Sequence, residues 1–481
     1  MVFTPHSKKK EVSVEYLFTE AFLKDDNYTA FKESEKEASL HQWNNNHWLR
    51  LDLLDAKKIA LDWMKTNQKL EKFSSSKAGD CINTLTTSIR TKVKELTSQD
   101  IIIPLSNKWL NVKPDGSIEC KAPDKSLRIT YSLNVAAHAS KVKNSKYTPS
   151  PALKQDSKWQ TFLDSSVPDK DVQKTLQEYI GYTLIPNVDL QVALFCEGEG
   201  SNGKGVFFEV VAALHQKERV KSINMERLDG FGLTPLIDAS LILVPECGRS
   251  INEEMFKSII AGDPIPINRK NRDEITIRPK AKWLISCNNL PTIKDQTDGM
   301  ARRMICVEWT KQFKEEELIV GLAKQIIDTE LEEVLDWALN GLLKVLKRDK
   351  RKIFVAQAIQ AKKEEHLIEN NNIKRWLSYS GVEVNSETDK SSYLLKETIY
   401  NNYTEFCEEG RIVGIFNEVN FWKEIKRAFP NQLLETRRKI NKANKVVNAR
   451  FVNLRFPDQI PAEVLDKNRI KEIEAEPIPF G

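Results

Sequence analysis

The decapeptide Cys196-Glu197-Gly198-Glu199-Gly200-Ser201-Asn202-Gly203-Lys204-Gly205 limits what this chain can fold into more than any other stretch. The apolar run 190–195 (LQVALF) leads into it, and a segment starting at Val206 leads out with apolar residues at helical spacing. Strand, glycine-rich turn, helix is the context in which a backbone loop can wrap a phosphate. Gly198, Gly200 and Gly203 permit a tight turn whose N–H groups aim inward, and the next helix offers its positive end to the same anion. Candidate binding positions are therefore Gly198, Glu199, Gly200, Ser201, Asn202, Gly203, Lys204, Gly205 and Val206, with Lys204 as a point charge for the β- and γ-phosphates. The usual pattern ends in Ser or Thr, whereas Gly205 stands here, so the hydroxyl that normally holds Mg²⁺ is missing.

At 481 residues the chain exceeds one ordinary domain, and roughly two to four are expected. No apolar run approaches the ~20 residues that cross a bilayer, and the start, MVFTPHSKKKEVSVEY, lacks the apolar core of a secretory signal. A cytoplasmic location without membrane contact is expected. Seven cysteines are scattered with no C-x-x-C pair and no Cys/His cluster, which speaks against a disulfide framework and structural zinc. The net charge of +5 is modest, so nucleic-acid contacts must come from local clusters.

In chain order, Trp43-Asn44-Asn45-Asn46-His47-Trp48 reads as a short hairpin, with His47 a flank residue and not a ligand. Residues 51–98 look helical and 100–140 strand-like, with a turn at Pro114-Asp115-Gly116. The polar stretch 141–158 reads as a linker, and a helix over 169–184 precedes the glycine-rich loop. From 190 to 309 short apolar strands alternate with helices or loops, as in an α/β nucleotide-binding domain, and the amphipathic helix 314–348 closes it.

The loop is followed by further chemistry. Ser240-Leu241-Ile242-Leu243-Val244-Pro245-Glu246 is a strand ending in an acid, where a carboxylate can hold Mg²⁺ or polarise the attacking water. Two β-compatible runs, Ile265-Pro266-Ile267 and Ile275-Thr276-Ile277, flank a basic tip carrying Arg269, Lys270 and Arg272, a hairpin able to grip the phosphates of a single strand. The strand 281–287 ends in Asn288-Asn289-Leu290-Pro291, where an amide can orient water at a γ-phosphate. Arg302 and Arg303 then precede another strand, the position of an arginine finger for a neighbouring subunit.

The series Gly198 to Lys204, Glu246, Lys257 with Gly262-Asp263, Asn288-x-Leu290-Pro291 and Arg302-Arg303 resembles the motifs of superfamily 3 helicases, and more narrowly the AAA+ domain of phage, plasmid and poxvirus primase-helicases. Tyr147-Thr148-Pro149-Ser150-Pro151, Trp159, Phe162 and Leu176-Gln177-Glu178-Tyr179-Ile180-Gly181-Tyr182 are similar to the segment that leads into that domain. Within the family the nearest look is to self-loading replication initiators of staphylococcal pathogenicity islands and chromosome cassettes. The resemblance covers about residues 40–345. It implies a homo-hexameric ring using ATP and Mg²⁺ to move 3′→5′ on single-stranded DNA during replication initiation. By position Lys204 is the phosphate lysine, Glu246 the acidic motif and metal residue, Asn288 the water-orienting amide, and Arg303, with Arg302 beside it, the finger.

After residue 372, helical spacing over 393–406, the capped helix 418–429 and two β-like runs around Asn441-Lys442-Ala443-Asn444-Lys445 outline a winged helix-turn-helix. Ten Lys/Arg lie between 423 and 455 against Glu424 and Glu435. Lys423, Lys426, Arg427, Arg437, Arg438, Lys439, Lys442 and Lys445 are candidates for duplex contacts, while Phe421, Trp422 and Phe429 read as core.

The expected fold class is thus α/β, an AAA+ P-loop core with an N-terminal α+β domain and a C-terminal winged helix. The expected division is 1–150, 151–345, a linker 346–371, the DNA-binding domain 372–458 and a tail 459–481. The expected function is an ATP-driven helicase and replication initiator of a mobile element, partnered by DNA and by a separate primase or polymerase. Residues 1–160 carry neither clustered carboxylates nor a zinc site for priming. A primase-helicase, an origin-binding protein with a structural nucleotide site, and a motor acting on protein stay open as alternatives.

Overall fold

The computed structural model describes residues 12–33, 37–91, 101–186, 188–270, 272–293, 298–386, 390–412, 414–442 and 445–457. The expected tail, Asn271, Ala443, Asn444 and the end of the 51–98 helical reading lie outside them. The described residues form a mixed α/β protein, with two compact units, Met1–Lys362 and Lys363–Gly481.

The first unit begins with α1 (Val14–Leu23), β1 (Tyr28–Lys32), β2 (Ala38–Trp43), β3 (Trp48–Arg50), α2 (Leu53–Thr66), α3 (Ser75–Ser88) and β4 (Arg90–Thr91). Its sheet runs β3-β2-β1-β4, and Trp43 pairs with Trp48 across the expected hairpin. The Asn-rich turn is a plug. Asn46 accepts from Trp109 Nε1 (2.7 Å) and donates to Leu105 O (2.9 Å). His47 is buried against Asn44 and Gln216.

An antiparallel sheet follows, from β5 (Ile101–Pro104), β6 (Trp109–Val112), β7 (Ile118–Lys121), β8 (Val142–Lys143) and β9 (Lys146–Tyr147). Residues 141–158 are therefore not a free linker. β8 and β9 complete this sheet by backbone pairing, which composition does not reveal, and the Tyr147 hydroxyl and Ser150 N–H both donate to buried Asp336.

The core is a five-stranded parallel sheet between helices. Its elements in order are α4 (Lys158–Ser166), α5 (Lys170–Thr183), β10 (Ala193–Glu197), α6 (Lys204–Ala213), β11 (Val220–Ser222), β12 (Leu241–Val244), α7 (Glu253–Ala261), β13 (Ile265–Arg269), β14 (Arg272–Ile277), β15 (Lys282–Cys287), α8 (Asp298–Ala301), β16 (Met304–Glu308), α9 (Leu322–Lys347) and α10 (Gln357–Glu369). Strand order is β11-β12-β15-β10-β16, so β10 is flanked on both sides. Largely buried, β10, β12, β15 and β16 read as the mostly apolar runs that a parallel sheet requires, while β11 at the edge (Val-Lys-Ser) does not. Helices α5 and α9 meet backbone to backbone: a Cβ at Gly341 would lie 2.1 Å from Gln177 O. The stretch 346–371 is mostly helical, and Ala356 and Ile359 are buried in the core. No described helix is long and apolar enough to cross a membrane.

The second unit packs α11 (Asn372–Ser380), α12 (Lys396–Glu409) and α13 (Glu418–Ala428) around Trp376, Tyr403, Phe421 and Trp422. Before α12 come the short strands β17 (Glu383–Val384) and β18 (Leu394–Leu395). The long hairpin β19 (Glu435–Lys442) and β20 (Lys445–Val452) follows α13 and pairs with β18, while β21 (Leu454–Arg455) pairs with β17. Phe421 and Trp422 are core residues, and Phe429 packs against the same cluster.

Candidate functional site

The glycine-rich loop joins β10 to α6, with Gly203 at the N-cap at φ +91°. Only glycine suits that conformation, and a Cβ there would lie 2.7 Å from Ser166 Oγ and 2.9 Å from the Phe162 ring. Helix α4 thus presses on the loop from behind. A Cβ at Gly205 would meet nothing within 4 Å. Asn202 is buried and braces the turn, donating to Glu199 O (2.5 Å) and accepting from the Lys204 N–H (3.3 Å). Gly203 has no side chain to cap α6, so first-turn N–H groups are left to face an anion.

Lys204 is 8% exposed, and its Nζ donates to Gly198 O and to Cys287 O (3.5 Å). Burial lowers its pKa. The ammonium therefore sits between the loop and the end of β15.

A cleft of about 1190 Å³ opens over the C-terminal ends of the strands, where ligands of parallel sheets bind. Gly200, Ser201, Asn202, Gly203, Lys204, Gly205 and Val206 form one side, with Glu246 beyond β12 and Asn288 beyond β15. Lys204, Glu246 and Asn288, far apart in sequence, thus converge. Apolar residues also line it: Phe162 from α4, Phe208 from α6, and Phe313, Leu318, Ile319 and Leu322. Leu318 and Ile319 are exposed. No motif marks these lining residues, and only Phe162 stood out in the sequence. Glu246 is exposed, and among the described residues no group of three or more His, Cys, Asp or Glu is arranged for a metal. A Mg²⁺ ion in this cleft would be held by Glu246, phosphate oxygens and water, which suits an ion that keeps several waters.

The two arginines differ in exposure. Arg303 is 8% exposed, and its Nη1 donates to Gly299 O at 2.6 Å, so it is committed inside its own subunit. Arg302 is exposed and is the one placed to reach outward. Neither lines the cleft.

The expected β13–β14 hairpin forms, with a register irregularity between Ile267 and Arg269. Lys270 and Arg272 are exposed at its tip. Arg269 stands opposite Arg272 at the same end but is not an exposed cation. Its guanidinium pairs with Glu33 and Glu37 of the N-terminal sheet and its side chain is 7% exposed.

In the second unit the hairpin's period of two sorts the basic residues. Arg438, buried Ile440 and Lys442 share the inner face: Arg438 lies 3.7 Å from the Phe451 ring centroid and donates to Tyr393 O, and Lys442 pairs with Glu397. Lys426 pairs with Glu435 and Arg427 with Glu424. Arg437 and Lys439 share the outer face, and Arg437 stands directly opposite Arg450. These three, with Lys423 and Lys445, are exposed. A groove of about 590 Å³ runs between α13 and the hairpin, lined in part by Trp422, Lys423, Lys426, Lys442 and Arg450.

A family of unknown function, DUF5906, matches residues 196–303, from the loop to Arg303. The chain is 23% identical over 291 residues to "Putative helicase L207/L206" of Acanthamoeba polyphaga mimivirus, a match covering 52% of this chain. The chain spans only 29% of the length of that curated relative. Among solved structures it is similar to the apo C-terminal region of NrS-1, with TM-score 0.45 and 14% identity over 92% of this chain and 100% of the other. A second form of that region gives TM-score 0.39 and 15% identity over 70% and 93% of the two chains. In sequence, then, the chain is similar to a viral protein named as a helicase.

Proposed function

We propose that this chain is an ATP-driven DNA helicase of the superfamily 3, AAA+ type that initiates replication of a mobile element. It acts as a homo-hexamer moving 3′→5′ on single-stranded DNA, while a C-terminal winged helix binds the duplex origin. The observation that carries this reading is the convergence of Lys204, Glu246 and Asn288 on one cleft beside a helix N-terminus whose N-cap is glycine. The sequence similarity to the mimivirus protein supports it.

In this reading the loop N–H groups and Lys204 hold the triphosphate, and the apolar lining of Phe313, Leu318 and Ile319 receives the base. Mg²⁺, when bound, offsets the charge of the phosphate oxygens. Glu246 would hold that ion through its carboxylate, Asn288 orients the attacking water, and Arg302 of one subunit enters the site of the next. Lys270 and Arg272 contact the strand in the ring channel. Arg437, Lys439, Arg450, Lys423 and Lys445 contact duplex phosphates.

The test is strand separation on a forked duplex with ATP and Mg²⁺. Wild type should unwind a fork with a 3′ tail, and Lys204→Ala should not. A wild type that hydrolyses ATP but opens no fork of either polarity overturns the helicase reading. A wild type that binds ATP without hydrolysing it favours the structural nucleotide site that Gly205 invites.

A further inference from the structure

The loop bearing Asn288 is fastened to the strand that carries the glycine-rich loop. Before it, Gly198 N–H donates to Cys287 O at 3.0 Å. After it, Leu290 N–H donates to Glu197 Oε1 at 3.2 Å. Asn288 and Asn289 are the exposed residues between these two anchors, and Thr292 N–H continues the fastening on Arg249 O at 2.8 Å. The second anchor is a side chain, so it depends on where the Glu197 carboxylate is held.

That carboxylate is crowded. Glu197 ends β10 and stands opposite Glu308 of β16. Lys362 of α10 lies between the two acids, 3.4 Å from Glu197 Oε2 and 3.7 Å from Glu308 Oε1. Side-by-side carboxylates repel, and the ammonium between them offsets that repulsion. Lys362 lies outside residues 196–303, the span of the family match.

We infer that Glu197 and Lys362 are positioning residues for Asn288: the Glu197 carboxylate staples the loop through Leu290 N–H, and Lys362 fixes the carboxylate. The inference rests on the proposed role of Asn288 and does not need either residue to touch nucleotide. Gln at 197 keeps an oxygen acceptor for Leu290 and loses the charge. Ala loses both.

Two readouts on the full chain test it. The first is hydrogen exchange at the Leu290 amide, which needs no turnover. Glu197→Ala should speed it, Glu197→Gln should preserve it, and Lys362→Met should speed it with the carboxylate still present. Unchanged exchange in both Glu197→Ala and Lys362→Met overturns the staple, and Lys362→Met decides alone if the alanine variant does not fold. The second is hydrolysis in a double-mutant cycle. Glu197→Ala should lower kcat by about 10- to 100-fold, the scale of a misplaced catalytic group, with nucleotide affinity unchanged and with rescue by Gln. In an Asn288→Ala background the same change should have almost no effect, because the two act as one unit. An undiminished effect there overturns the inference. If wild type shows no turnover, the functional reading fails, and the exchange arm still decides the staple.

Discussion

The cleft and the C-terminal hairpin use charge in opposite ways. In the cleft one buried lysine, 8% exposed, works with backbone N–H groups fixed by a glycine at positive φ. On α13 and the hairpin many cations crowd a short span, and several have partners within the unit: Arg438 lies over Phe451, while Lys442 with Glu397, Lys426 with Glu435 and Arg427 with Glu424 form exposed ion pairs. A phosphate site made of backbone tolerates no change of shape, whereas one made of exposed side chains tolerates loss of single charges. The two regions should therefore fail differently.

The largest contrast is expected at the arginines. Arg302→Ala should lower hydrolysis by about 10³-fold or more, the range for an arginine finger, with an unchanged melting temperature. Arg303→Ala should instead lower melting temperature, since it removes a buried guanidinium held on Gly299 O. Thermal melts beside steady-state hydrolysis separate the two. Equal, full activity in both variants would remove the finger from this segment.

Within the loop, Gly203→Ala should abolish nucleotide binding in a fluorescent-nucleotide titration and cost about 1–2 kcal/mol in backbone strain alone, apart from the clash with Ser166 and Phe162. Gly205→Ser meets open space and should keep the fold while tightening the Mg²⁺ dependence of binding. Similar losses from both would show that shape is not what the loop reads.

On the hairpin, replacing Arg437 and Arg450 by Gln should shallow the salt dependence of duplex binding by about one to two in slope. The fold should gain slightly, because like charges stand directly opposite. Lys442→Gln should leave the slope unchanged. A reversed order would put the DNA face on the other side of the hairpin.

A smaller effect tests the first unit's interior. Desolvation pushes His41 and His47 down to about 4 and His215 to about 3. Their unfolded values lie near 6.5, so between about pH 6.5 and 4 the unfolded chain binds more protons and stability falls as pH falls. Melting temperature should be level above pH 7 and decline below 6.5. His47→Gln should flatten part of that decline.

Local patterns were legible and distant captures were not. The loop, the Trp43–Trp48 hairpin, the β13–β14 hairpin and the helix–helix–hairpin order each follow from periodicity and turn residues within a short window. Arg269 reads as a tip cation because its partners, Glu33 and Glu37, lie in another sheet. That Arg303 is buried and Arg302 exposed is not legible locally, because burial is a tertiary property. Residues 141–158 look like a linker because β8 and β9 pair through their backbone. The apolar lining, drawn from α4, α6 and the 313–322 segment, and the Glu197–Lys362 contact between β10 and α10 carry no motif.

In the proposed function the cleft over β10 hydrolyses a nucleoside triphosphate in the service of DNA. Steady-state ATP hydrolysis with and without single-stranded DNA, on wild type and Lys204→Ala, tests it most directly. Wild type should turn over ATP faster when single-stranded DNA is present, and Lys204→Ala should lose about 100-fold or more with the fold intact by melting. Absence of turnover in wild type, or full turnover in Lys204→Ala, would contradict it.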